Sequence, residues 1–490
     1  MLFNSYAFIL AFLPVVLLGF FLVARFAGQR AALAVLAAGS LFYYGYWNPR
    51  YVLLIVASIA VNHVIGNRLA GGGRSRHAVL VAGLAFNLGL LGYFKYANFF
   101  VANTEALLGT SFHFPPVVLP LAISFFTFQQ IAFLVDAYRG QAGREDFLDY
   151  CLFITFFPQL IAGPIVHHKE MMPQFTGAAF RFDAENFGVG LTLFCMGLFK
   201  KVMIADTTAV FATPVFAAAA TGAQVSVIDA WGAALAYTFQ LYFDFSGYSD
   251  MAVGLARMVG IRLPINFDSP YKAPSIRDFW RRWHITLSRF LRDYLYIPLG
   301  GNRKGPSRRY ANLMITMLLG GFWHGAGWTF VLWGGLHGLY LVINDLWCRV
   351  RPEHSVRFLW PGRVLTFVAV VAAWVVFRAD TVDAAGTMLA GMAGLHGLVP
   401  PPETASIHWG PAYGRLAALL AAVWLLPNSY QLLRDFQPVL TESRALAVPS
   451  GWAGLLRWRL TRGYAYLLAL VAVTALANMT EISEFLYFRF

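Results

Sequence analysis

Two Trp-His dipeptides stand where proton chemistry is possible. The first lies in Phe279-Trp280-Arg281-Arg282-Trp283-His284-Ile285-Thr286-Leu287-Ser288, the second in Gly320-Gly321-Phe322-Trp323-His324-Gly325-Ala326-Gly327-Trp328. A full charge at membrane depth costs ~2.5 kcal/mol or more, so ionisable groups persist there chiefly where chemistry or transport needs them. Imidazole escapes most of that cost by staying neutral, and the neutral ring is the form that accepts a proton. Gly320, Gly321, Gly325 and Gly327 bracket His324. Such a cluster weakens helix and allows close backbone approach. Broken helix in a membrane is tolerated only where protein or a water-filled cavity surrounds it. His324 is therefore the first candidate general base, against the bland alternative of a packing histidine bonded to a carbonyl. His284 sits in an Arg- and Trp-rich segment expected near the cytoplasmic interface, where Trp280 and Trp283 would serve equally as anchors.

Other chemistry-bearing residues read as structural. Asp244 and Asp250, six positions apart in what reads as an aromatic, Gly-containing break, lack a hydrophobic-pocket signature and point to hydrogen bonding with backbone or arginine. His167-His168 has no partner at ligand spacing and reads as a loop feature. Cys151, Cys195 and Cys348 stand apart and indicate neither a disulfide frame nor a metal site. Gly71-Gly72-Gly73 and Gly300-Gly301-Asn302-Arg303-Lys304-Gly305 lack the strand–helix context of a nucleotide-hydrolysing loop.

The elements that must position these residues are membrane helices. Of 490 residues, 58% are hydrophobic and 12% charged, with a mean hydropathy of +0.59. A soluble domain carries roughly 25% charged residues, so the chain is expected to be an all-α polytopic membrane protein. Apolar runs recur at Tyr6–Val23, Ala31–Tyr46, Tyr51–Ile65, Ala78–Phe94, Val117–Val135, Phe187–Phe199, Val364–Phe377, Leu416–Leu426 and Tyr464–Ala477. Several fall short of the roughly 20 residues of a plain span, which predicts tilted, broken or re-entrant helices. About ten to thirteen membrane helices in a single domain, 1–490, are expected. The start has no basic region or cleavage site and reads as a retained first helix.

Charge sets the orientation. Arg25 and Arg30 follow the first span, and Arg68, Arg74 and Arg76 the third; basic loops stay inside, so these are cytoplasmic. Arg457, Arg459 and Arg462 precede the last span, which places both termini on the outer face. Of a net charge of +13, eleven Lys or Arg residues lie between Arg262 and Arg309, opposed only by Asp268, Asp278 and Asp293. The bland account is a cytoplasmic loop beside anionic lipid headgroups. The functional account is a landing site for an anionic donor such as a coenzyme A thioester, with Arg281, Arg282, Arg289, Arg292, Asn302 and Arg303 as its candidates, since arginine forks match phosphate oxygens. Nucleic acid is not expected, because the aromatic residues are embedded in membrane segments.

Several strings resemble the membrane-bound O-acyltransferase family, and most closely its branch containing the membrane subunit of bacterial alginate O-acetyltransferase. They are Tyr242-Phe243-Asp244-Phe245-Ser246-Gly247-Tyr248-Ser249-Asp250, the two Trp-His segments, Leu291-Arg292-Asp293-Tyr294-Leu295-Tyr296-Ile297-Pro298-Leu299-Gly300-Gly301-Asn302-Arg303 and Phe157-Pro158-Gln159-Leu160-Ile161-Ala162-Gly163-Pro164-Ile165. The ending Phe485-Leu486-Tyr487-Phe488-Arg489-Phe490 fits as well. The resemblance implies a ring of helices around a thinned central channel, with a catalytic core at about 117–346. It implies acetyl-CoA as donor, no bound cofactor or metal, and a bacterial inner-membrane location. His324 and His284 take the two active-site positions, His284 donating to the thioester carbonyl or orienting the donor. The acyl group would leave toward an exopolysaccharide such as alginate, or another envelope polymer such as peptidoglycan or cellulose, through periplasmic esterase-like transferases. By the same resemblance Tyr487 is an acyl carrier, against the alternative of an interfacial aromatic belt. A competing class is a secondary transporter or flippase with His324 as proton relay, since broken midplane helices also describe transporters.

Overall fold

The computed structural model describes residues 1–161, 163–177, 180–350, 359–440, 451–479 and 486; among these the chain is helical throughout, without strands. Its first layer comprises α1 (Ala7–Phe26), α2 (Gln29–Gly45), α3 (Arg50–Ala70) and α4 (Arg76–Leu108). Helix α5 (Ile123–Tyr138) is flanked by α3 and α4, and α2 packs on the short α6 (Phe147–Thr155), which precedes α7 (His168–Gly177). The centre is the antiparallel pair α8 (Ala184–Ala220) and α9 (Val227–Met258). Two short helices, α10 (Ile276–Trp280) and α11 (Ile285–Leu291), flank His284. The hairpin α12 (Gly305–His324) and α13 (Trp328–Val350) follows, then α14 (Leu359–Arg378), α15 (Val382–Met392), α16 (Trp409–Leu425) and α17 (Arg462–Ala477). Five of these, α1, α3, α4, α8 and α14, are long and apolar enough to cross a membrane.

Proline and charge explain where the apolar runs misplace helices. The run Val117–Val135 becomes helical only at Ile123, behind Pro115, Pro116, Pro120 and a left-handed Ala122 (φ 59). Proline cannot donate to a helix and restricts its predecessor. The resulting α5 has 16 residues, ~24 Å of rise, less than the ~30 Å hydrocarbon thickness. It is tolerable because nearly all of its side chains are buried in protein. Helix α9, at 32 residues, escaped the hydropathy reading because Asp229, Asp244, Asp250 and Arg257 interrupt it. All four are buried and bonded. Asp229 accepts from Trp409 Nε1 at 2.6 Å and Asp250 from Lys200 at 2.6 Å and Ser429 at 2.6 Å. Asp244 meets Lys201 at 2.7 Å, and Arg257 donates to the Phe436 carbonyl at 3.4 Å. Asp244 and Asp250 thus lie in unbroken helix, not in a break, and their ionic partners are lysines instead of arginines.

Helices α8 and α9 meet backbone to backbone. A Cβ added at Gly190 would stand 2.6 Å from the Gly254 carbonyl oxygen, and one at Gly254 would stand 2.5 Å from that of Gly190. Gly197 and Gly247, seven residues along each helix, repeat the contact. Small residues let membrane helices approach closely where van der Waals packing replaces the hydrophobic drive. Gly190→Ala would press its Cβ on the α9 backbone and the Met258 side chain, so it is expected to destabilise the fold by about 1–3 kcal/mol, read as a lower thermal aggregation temperature in detergent.

At the arginine-rich end, one carboxylate ties three helices together. Buried Asp345 of α13 accepts from Arg277 of α10 at 2.8 Å, from Arg309 of α12, and from the Tyr310 hydroxyl at 3.1 Å; Arg349 lies 3.4 Å away. Several charge-assisted bonds on one desolvated carboxylate fix the mutual placement of α10, α12 and α13, the elements around both Trp-His segments.

Candidate active site

His324 is the last residue of α12, and the chain becomes extended at Gly325 (φ −159). The preceding glycines do not weaken the helix, contrary to the expectation from their clustering. Gly320 and Gly321 are helical, and a Cβ on Gly321 would fall on the Phe330 carbonyl while one on Gly334 would fall on that of Met317. Their work is close packing of α12 against α13. His324 is buried, with ring edges and faces on all sides: Trp323 and Trp333 at centroid distances of 5.1 Å and Phe377 at 5.4 Å.

His284 occupies the junction of α10 and α11 in a left-handed conformation (φ 43, ψ 54), a region that costs a non-glycine residue roughly 1–2 kcal/mol. Asn266 holds it there. The Asn266 carbonyl accepts from Ile285 N at 3.0 Å, and its Oδ1 accepts from Thr286 Oγ1 at 3.0 Å and lies 3.1 Å from His284 Nδ1. An amide oxygen that already accepts from a hydroxyl makes Nδ1 the protonated nitrogen, so the neutral ring carries its lone pair on Nε2. His284 therefore accepts at Nε2, and donation to a thioester carbonyl requires its protonated form. The ring lies edge-on to Phe245 at 4.8 Å.

The two imidazoles are neighbours, with centroids 6.5 Å apart and planes tilted by 57°. Residues 40 positions apart in sequence thus form one buried pair. A third buried histidine, His337, was missed by the sequence reading. It lies behind the pair, accepting from Trp280 Nε1 at 3.2 Å and packed on Trp333 at 4.8 Å. Its position four residues after Trp333, on the face of α13 that meets Trp280 and Trp374, was the available signal.

His167 and His168 are more than a loop feature. His168 opens α7, and both are buried. The Tyr294 hydroxyl donates to Asp136 at 2.8 Å and lies 3.0 Å from His167 Nδ1, while His168 Nδ1 stands 3.4 Å from Asp136. The network pins α7 to α5. Among the described residues, no group of three or more His, Cys, Asp or Glu side chains is arranged to hold a metal.

The donor candidates do not form one cluster. Arg282 pairs with Asp278 at 2.7 Å, Arg289 grips Glu170 through two bonds of 2.6 and 2.8 Å, and Arg292 pairs with Asp293 at 2.7 Å. Arg281 and Arg303 are exposed, with no carboxylate in ion-pair reach among the described residues, and Asn302 is exposed beside Arg303. Tyr487 lies outside the described residues. Its neighbour Leu486 is buried, and the Leu486 N–H donates to Asp244 at 3.1 Å. Leu486 also lines a cavity of about 540 Å³ with Asn103, Trp328, Phe330, Phe377 and Arg378. Phe377, which also lines the cavity, packs against His324.

A buried imidazole pair thus lies inside a helical, membrane-type bundle. Residues 134–378 match the model of MBOAT, the membrane-bound O-acyltransferase family. The chain is 46% identical over 428 residues to a peptidoglycan O-acetyltransferase of Helicobacter pylori, covering 81% of each. It is 39% identical over 504 residues, the full length of both, to the probable alginate O-acetylase AlgI of Pseudomonas putida. A teichoic acid D-alanyltransferase of Streptococcus thermophilus is 30% identical over 47% of this chain and 58% of its own length. The chain belongs to the membrane-bound O-acyltransferase family and is an acyltransferase. The alternative of a transporter or flippase finds no support among these relatives, which are named for acyl transfer.

Proposed function

We propose that this protein takes an acetyl group from acetyl-CoA at its arginine-rich, cytoplasmic face and delivers it across the bacterial inner membrane for O-acetylation of an exopolysaccharide such as alginate. The observation that carries this reading is the buried His284–His324 pair at the end of α12. In the transfer, His324 accepts the proton of an attacking hydroxyl. The hydroxyl oxygen forms the new C–O bond, the C–S bond breaks, and the departing thiolate takes the proton back. His284, held by Asn266, orients the site. Charge placement puts both termini on the periplasmic face, where esterase-like transferases would receive the acetyl group. Full-length alignment with an alginate O-acetylase supports the acceptor; the 46% identity to a peptidoglycan O-acetyltransferase favours a second reading, peptidoglycan.

The test is donor turnover by the full-length protein in detergent or liposomes. Release of CoA from acetyl-CoA, raised by polymannuronate with its periplasmic transferase, supports the first reading; stimulation by glycan strands of peptidoglycan supports the second. Absence of thioester cleavage with any acceptor overturns both.

Unpaired arginines are the ones free to meet phosphate. Arg281→Glu combined with Arg303→Glu is expected to weaken acetyl-CoA binding at least about tenfold, with added salt reproducing part of the effect on the parent protein. Arg282→Glu perturbs the Asp278 pair instead and serves as the contrast. Unchanged donor affinity in the double variant would make these side chains lipid anchors.

A further inference from the structure

Helix α12 ends without any of the usual helix stops. Gly325 is extended (φ −159, ψ 149), so no left-handed residue turns the chain back to satisfy the last carbonyls. Two side chains from a single short segment of α4 do so instead. Lys95 Nζ donates to the carbonyl of Trp323 and, at 3.1 Å, to that of His324, with a further bond of 3.3 Å to Ser124. The Tyr96 hydroxyl donates to the Phe322 carbonyl at 3.0 Å, and its ring stacks on Phe322 at 4.3 Å. Three successive carbonyls, ending at His324, are closed from outside the helix.

The backbone of α4 explains how adjacent residues reach the same target. Gly92–Tyr96 is a π-helical turn, which inserts an extra residue and rotates the face that follows; such bulges concentrate at functional sites. An ammonium group at a helix C-terminus also opposes the negative end of the helix dipole. Lys95 has no carboxylate in ion-pair reach among the described residues, so its charge is directed wholly at this helix end and the face of Trp323, 5.6 Å from its ring centroid.

We propose that Lys95 is a positioning residue for acyl transfer: delivered by the π-helical turn, it clamps the end of α12 and holds the His324 imidazole where it takes the acceptor's proton. This role presupposes His324 as the base. A misplacement of about 1 Å in a reacting group costs on the order of 10²-fold in rate.

The experiment compares variants of the full-length protein by CoA release from acetyl-CoA with a polysaccharide acceptor. Lys95→Met is expected to lower kcat on the order of 10²-fold while KM for acetyl-CoA stays within about twofold. Lys95→Arg, which keeps charge and donors, recovers most of the rate; Tyr96→Phe, which loses one of the carbonyl bonds, falls between. If Lys95→Met does not accumulate in the membrane, Lys95→Gln carries the same expectation. Wild-type kcat in the uncharged variant, with His324→Ala inactive, overturns the role of Lys95 and leaves the base intact. A raised KM with unchanged kcat also overturns it, making Lys95 a donor-binding group. Activity in His324→Ala overturns both assignments together.

Discussion

His324→Ala is expected to reduce acyl transfer by ~10²–10⁴-fold, the range that general-base removal commonly costs, with expression and membrane insertion unchanged. Insertion should survive because the helix ends at His324 and loses no internal hydrogen bond when the imidazole is removed. Three aromatic rings enclose the imidazole, so the truncation leaves a cavity between them. A moderate loss of thermal stability should therefore accompany the catalytic one. His324→Gln separates the two, filling more of the volume while being unable to accept a proton. Acetylated polymer near wild-type amount from either well-inserted variant would remove His324 from the mechanism.

Tyr487→Phe is expected to abolish polymer acetylation while leaving acetyl-CoA binding and membrane insertion as they are. On the proposed reading, charge placement sets the donor-side arginines and the segment after α17 on opposite faces, so an exported acyl group would need a carrier between them. A phenol near its usual pKa of about 10 is a poor nucleophile and needs a base; the proposed base, His324, would supply one. The proton of the Tyr487 hydroxyl would pass to His324, the phenolic oxygen would take the acetyl carbon, and the thiolate would leave with the proton. The aryl ester formed is reactive enough to hand acetyl to a periplasmic serine enzyme. Leu486, the residue before Tyr487, donates its N–H to Asp244 and lines the cavity beside Phe377, whose ring touches His324. Phenylalanine keeps the aromatic anchor and deletes only the oxygen. Intact-mass analysis of the wild type after incubation with acetyl-CoA should show one added acetyl group, absent from Tyr487→Phe; wild-type acetylation by the variant would leave the residue as an interfacial anchor.

What was legible in the sequence was whatever is encoded locally. The glycine-bracketed His324, the Trp-rich segment carrying His284 and the apolar first, third and fourth spans all depend on near neighbours. What stayed hidden depends on partners far along the chain. Asp244 and Asp250 broke the apolar pattern of α9 because Lys201 and Lys200, which make them tolerable, come from another helix. Arg282, Arg289 and Arg292 resemble Arg281 in sequence, and only the fold shows that Asp278, Glu170 and Asp293 already hold them. Lys95 directly follows the apolar run Ala78–Phe94, and nothing local points to its target, 228 residues downstream. The glycines around Gly321 marked the right place for a different reason, since their demand is for space between two helices and not for a broken one.

The clamp on His324 comes from the outside of the molecule. Past the π-helical turn, α4 buries none of the residues from Ala97 to Leu108, and Phe100, Leu107 and Leu108 are openly exposed. The α8–α9 core, by contrast, is sealed by glycine against glycine. Local openings start where few contacts oppose them, so the rim that holds the end of α12 should loosen before the centre does. Inactivation and denaturation then become separate events. A harsh short-chain detergent, or a bilayer of unsuitable thickness, should silence the enzyme while its centre is still folded, and returning native lipid should restore turnover without any refolding step.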